Sequence, residues 1–150
     1  ADARAKLQAV LDNGKAAETF ARMVFALGGP ADFVENYDNH LQKAEIMRPV
    51  YAQSSGIVTG MDTRAIGMAV VALGGGRLRA ADLIDHAVGL TDVISLGAQA
   101  DKDVPLAWVH ARTEAQYEQT AAVIRNAIQV GDNAITPSPA IYRRITLADV

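Results

Sequence analysis

"PLAWVHARTEAQYEQTAAVIRNAIQVG", Pro105 to Gly131, changes hydrophobic period halfway along. PLAWVHA is an apolar run with a β-branched residue and Trp108, bounded by turn residues, and reads as an extended segment. Thr113 and Gln116 then form a T-x-x-Q capping box: the threonine side chain takes an orphan N–H of a helix start, and the glutamine reaches back to the N-cap N–H. Beyond them Tyr117, Ala121, Ile124 and Ile128 share one helical face, and the spacing predicts a helix running to Gly131. A strand followed at once by a helix decides the fold class as mixed, and the rest of the chain extends that reading.

Upstream, "AVGLTDVISL" (87–96) is a second extended apolar segment, joined to the first by a turn at "GAQADKDV" (97–104). "IMRPVYAQ" and "GIVTGM" flank Ser54-Ser55 and read as two strands in a hairpin or tight connection. Pro49 has no N–H for a ladder and puts the first of them at a sheet edge. Asp62 is the expected cap of a helix over "TRAIGMAVVAL", with Ile66, Val70 and Leu73 on one face, and Gly74-Gly75-Gly76 follow its last turn. A short helix is expected at Ala80 to Asp85, and a terminal strand at "AIYRRIT" (140–146).

The first 45 residues differ. Asp2 can cap a helix whose face is Ala3, Leu7, Val10 and Leu11, closed by Gly14. Phe20, Met23, Val24 and Leu27 mark a second helix ending at Gly28-Gly29-Pro30, and a helical turn is expected from Asp32 to Tyr37. These apolar faces require a partner. The organisation is therefore α+β, with residues 1–45 a helical tail, residues 46–150 a separate domain, and the boundary near Lys43 to Ile46.

With 14 Lys plus Arg against 17 Asp plus Glu, the chain carries a net charge of −3, and half of its 150 residues are apolar. Sequence-independent nucleic-acid binding needs a basic surface, so that class is disfavoured. No apolar run is long enough for a membrane span. There is no cysteine, which excludes disulfides, thiolate catalysis and Cys-based zinc sites. A reducing cytoplasm is the expected location. The chain starts "ADARAKLQAV", without methionine and already in a helical pattern, and is expected to be a fragment.

The glycine triplet with Arg77 and Arg79 invites a phosphate-loop reading. Such loops precede a helix, whose free N–H groups and positive dipole end face the anion; Gly74 to Gly76 instead follow one. A helix stop with a close backbone approach accounts for them, leaving only the N–H groups of the expected helix at Ala80 to receive an anion. His40, His86 and His110 have no metal-binding spacing. Ser54, Ser55, Ser95 and Ser138 lie in no nucleophile elbow. Asp82, Asp85 and Asp92 read as caps and turn residues before they read as a paired acid and base. Asp101, Lys102 and Asp103 read as a solvated turn; a swinging-arm carrier would present such a lysine on a hairpin tip, but Lys102 is flanked by aspartates and lies in no Met-Lys-Met or Asp-Lys-Ala pattern. Trp108, Tyr142, Met23 and Met68 read as core or interface residues. Of Arg143 and Arg144, adjacent on a strand, one points to solvent.

"DTRAIGMAVVALGGGR" and "ADLIDHAVGLTDVISLGAQADKDVPLAWVHA" resemble the carboxyl-terminal portion of pyrimidine nucleoside phosphorylases, most of all the bacterial thymidine-cleaving members. The matching positions are Leu73, Gly74, Gly76, Arg77, Ile84, Asp85, Val88, Gly89, Gly97, Pro105, Leu106, Ala107, His110 and Ala111, with departures at Ala100 and Asp103. "PADFVENY" and "IYRRI" extend the likeness to both ends. The resemblance implies an α/β-hammerhead domain at 46–150, preceded by a helical piece of the central catalytic α/β domain. It also implies a parent enzyme that reversibly phosphorolyses thymidine, acts as a homodimer and takes phosphate as co-substrate without a cofactor. The family's phosphate and base ligands have no matching position here, so no catalytic, substrate-binding, phosphate-binding or metal residue is carried over. The expected partner is the remainder of that enzyme. A freestanding barrel-sandwich-like carrier using Lys102 is the alternative, and an enzyme using His86 and Asp85 as acid and base ranks third.

Overall fold

The computed structural model describes residues 2–136, 139 and 141–147. Two units divide the chain, Ala1–Gln42 and Lys43–Val150. The first holds α1 (Asp2–Asp12), α2 (Lys15–Ala26) and α3 (Phe33–His40). Gly14 takes φ 79°, which lets α1 end and α2 begin within three residues. α2 closes in a Schellman motif: Gly28, at φ 90°, donates to the Phe25 carbonyl at 3.0 Å and Gly29 to the Val24 carbonyl at 2.9 Å. The third helix runs further than Tyr37. Asp32 accepts from the Asn36 amide at 2.9 Å and contacts His40 Nε2 at 2.9 Å, which ties the added turn to its start. None of the three helices buries a residue.

The second unit is an α+β domain. β1 (Ile46–Val50), β5 (Ala107–Ala111) and β3 (Gly89–Thr91) form one antiparallel sheet in the order β1-β5-β3; β4 (Gln99–Ala100), β2 (Gly56–Met61) and β6 (Ile128–Gly131) form another, ordered β4-β2-β6. β1 lies at an edge, as Pro49 requires, with Pro49 opposite Trp108. β1 and β2 belong to different sheets, so residues 51–55 are a connection rather than a hairpin turn.

α4 (Thr63–Val70) begins where the Asp62 carboxylate accepts the Ala65 N–H at 2.9 Å. The expected last turn of that helix, to Leu73, is wound more loosely, as a π-helical turn over Val71–Gly75. No helix forms at 80–85. The Asp82 side chain accepts the N–H groups of Leu78 at 3.0 Å and Arg79 at 2.8 Å, closing a turn instead.

α5 (Glu114–Ala127) carries both bonds of the capping box. It stops four residues before Gly131, because Ile128 and Val130 pair with Met61 and Val58 as β6. Ile128 continues the apolar stripe of the helix in sequence but is buried as the first residue of β6. The expected terminal strand is also absent: among described residues 141–146 have no strand pairing, and Ala140 lies outside the described residues. Tyr142 is 89% exposed, so burial gives its β propensity no support.

The core gathers between the sheets and the inner face of α5. Val50, Val58, Leu106, Val109 and Ile124 are its fully buried large side chains. A side chain of this kind contributes about 1.5–3 kcal/mol by leaving water. Tyr117 crosses from α5 to β1, donating its hydroxyl to the Pro49 carbonyl at 2.9 Å, while the Arg48 guanidinium sits 3.9 Å from its ring centroid. Arg48 also pairs with Glu114. No described helix is long and apolar enough to cross a membrane.

Candidate functional site

Two glycines of the triplet, Gly74 and Gly75, are explained by backbone geometry. Gly74 has φ 97°, a left-handed conformation that ends the π-helical turn. A Cβ on Gly75 would lie 2.9 Å from Val70 Cγ1 and 3.2 Å from the Val88 carbonyl oxygen. The chain therefore passes close to residue 88 only because that side chain is missing.

The turn is held by ionic and amide contacts from distant segments. Asp85 donates its N–H to the Gly74 carbonyl at 2.9 Å. Its carboxylate accepts two bonds from Arg112, Nε to Oδ2 at 2.8 Å and Nη2 to Oδ1 at 2.9 Å, and a third from the Ala87 N–H at 3.0 Å. This is the bidentate fork geometry that guanidinium and carboxylate share. Arg112 also donates through Nη1 to the Lys43 carbonyl at 3.1 Å, with Glu45 Oε1 3.5 Å away. Gln116, the capping-box glutamine, accepts the Arg112 and Thr113 N–H groups and donates to the Leu73 carbonyl at 3.3 Å. The Arg112 bonds, then the Ala87 N–H, hold the Asp85 carboxyl down to about 2 against a small opposing effect of burial. In return the Asp85 carboxylate raises Arg112 above its ordinary value.

Asp85 is held as an ionised carboxylate by Arg112 and the Ala87 N–H, and its side-chain hydrogen bonds go to these partners rather than to His86, the residue expected to pair with it as acid and base. The anion reading fails as well, because the expected helix at Ala80 is absent and the Asp82 carboxylate already occupies the N–H groups of Leu78 and Arg79. Arg77 and Arg79 are exposed beside it. Asp92 does separate work, sitting at φ 49° just after β3.

The remaining candidates are dispersed. His40 meets Asp32 in the first unit, lowering the Asp32 carboxyl together with the larger effect of Asn36, while His110 contacts Thr91 Oγ1 at 2.9 Å across β5 and β3. No group of three His, Asp or Glu residues among those described is placed to hold a metal. Ser54 and Ser55 lie in the connection before β2, Ser95 is exposed, and Ser138 falls outside the described residues. Lys102, its side chain 88% exposed, tops a turn in which Asp101 Oδ1 accepts the N–H groups of Asp103 at 2.8 Å and Val104 at 2.9 Å. The strands on either side, β4 and β5, belong to different sheets, so Lys102 is not at the hairpin tip that a carrier requires. Trp108 is half-buried, Met23 and Met68 are exposed, and Tyr142 is no part of the core; Arg143 and Arg144 are exposed.

Two clefts indent the second unit. One, of about 190 Å³, lies between α4 and α5 over Leu73, Gln116 and Thr120; the other, of about 170 Å³, is lined by Ser54, Arg125 and Asn126. Both fall short of the ~300–1,000 Å³ usual for small-molecule sites. Arg112 is the residue that reading the sequence missed. It stands directly after the matched His110-Ala111, but its partner is 27 residues away and no local spacing marks the pair.

Residues 57–131, half of the chain, match the sequence model of the pyrimidine nucleoside phosphorylase C-terminal domain. The match runs from β2 to β6 and takes in the glycine turn, Asp85, Arg112 and the capping box.

Proposed function

From the premise that the chain belongs to the pyrimidine nucleoside phosphorylase family, we propose that it is the carboxyl-terminal part of a thymidine phosphorylase and is itself noncatalytic. The parent reaction joins thymidine and phosphate to give thymine and 2-deoxy-α-D-ribose 1-phosphate, reversibly. A phosphate oxygen forms the new bond to the sugar's anomeric carbon as the bond to the base nitrogen breaks, and the base leaves with the electron pair. Such a step needs a fixed anionic nucleophile and groups that stabilise charge on the departing base.

One observation supports a structural role: the two carboxylates at the glycine turn, Asp82 and Asp85, are taken up in holding it. Asp85 is locked by Arg112, and Asp82 caps the turn's own N–H groups. In this reading the second unit serves as a rigid body in the lobe that closes over substrate. The first unit is a helical piece of the central catalytic domain, and the remainder of a cytoplasmic, homodimeric enzyme supplies the phosphate and base ligands.

The test is direct. The purified 150-residue chain, incubated with thymidine and phosphate, should release no thymine above an enzyme-free blank by liquid chromatography. Turnover proportional to protein concentration would overturn the noncatalytic assignment. Nucleoside preference is tested on the parent enzyme, where thymidine should be cleaved in preference to uridine.

A further inference from the structure

Regular pairing between β1 and β5 ends at Ile46 opposite Ala111. Residues 42–44, just before that ladder, have no secondary structure. Arg112 directly follows β5, and its side chain continues the attachment where the ladder stops. Its Nη1 donates to the Lys43 carbonyl and faces Glu45, while Nε and Nη2 are fixed on Asp85, which is bonded to the glycine turn through Gly74. The two side chains of the central pair are only 32% and 29% exposed, so solvent screens them less than an open surface pair.

We propose that Arg112 is a junction clamp: it fastens the first residues of the second unit, 43–45, to the signature glycine turn and so fixes where the chain enters this domain. Asp85 is the positioning residue, since its two oxygens set the guanidinium plane that presents Nη1 to Lys43. The role concerns the domain's attachment and does not depend on which nucleoside the family member cleaves.

Limited digestion of the full chain with a lysine-specific endoprotease tests it, because Lys43 lies in the clamped segment and exposed Lys102 provides an internal reference. In Arg112→Gln and in Asp85→Asn, cutting after Lys43 should accelerate on the order of tenfold, the scale of losing a charge-assisted hydrogen bond that restrains local opening. Cutting after Lys102 should stay within about twofold in the same samples, as expected if only the junction opens. Should Arg112→Gln fail to fold, Asp85→Asn carries the test with its shape conserved. An unchanged ratio of the two cleavage rates overturns the clamp, and so does equal acceleration at both lysines, which reports general loosening.

Discussion

Asp85 shows how one residue's surroundings define what it can do. The forked Arg112 contact and the Ala87 N–H bring its carboxyl to about 2 in the folded chain, below the ~3.9 of an unfolded aspartate. A depressed carboxyl binds protons more readily when the chain unfolds, so its contribution is fully present above the unfolded value and is lost as pH falls toward 2. Urea unfolding of the wild type should therefore show a midpoint that declines between about pH 4 and pH 2, with Asp85→Asn showing a shallower decline over that interval. Parallel declines would mean that the Arg112 contact is not coupled to folding. In the sequence Asp85 was visible as a motif position, but its role was not: the partner comes from the end of β5, and only the tertiary fold brings the two together. The glycines were more legible, because helix termination and close approach are local demands of the backbone.

Among the elements, α5 began where the sequence put it and ended where the sequence did not. Its start depends on Thr113 and Gln116, three residues apart, and the structure contains both reciprocal bonds. Thr113→Ala should lower the stability of the chain by about 1 kcal/mol, read as a reduced midpoint with unchanged slope in urea. A change within error would show that Gln116, through Leu73 and the Arg112 N–H, holds the helix start without the threonine. The helix end was ambiguous because Ile128 satisfies the helical stripe and also the inward face of β6, and only pairing with β2 selects the strand. At 80–85 a local bond replaces the helix, since Asp82 satisfies N–H groups of its own turn, and residues 141–146 join no strand despite their β-branched composition. Local signals located caps and stops. Elements whose conformation depends on a distant partner were decided by that partner.

Across the whole molecule, buried apolar area is distributed unevenly between the two units. The second packs Val50, Val58, Leu106, Val109 and Ile124 out of solvent, while helices α1 to α3 bury no residue fully and leave Leu7, Phe20 and Phe25 exposed, with Leu27 after α2 81% exposed. A helical segment this short has little interior to build, and isolated helices of such length are marginal in water. Opening α1 to α3 exposes little that was covered, whereas opening α5 or β5 must dissolve the core. Native-state hydrogen exchange on the intact chain should therefore protect amides around Val109 and Ile124 at least about a hundredfold more than those of α2, the former opening only with the second unit as a whole. Ile124→Ala, costing about 2–5 kcal/mol, should cut the protection of β5 and α5 together while leaving α2 unchanged. Equal protection in α2 and α5 would show that the apolar faces of the first unit are covered in solution; sedimentation of the same sample would then reveal an assembly larger than one chain.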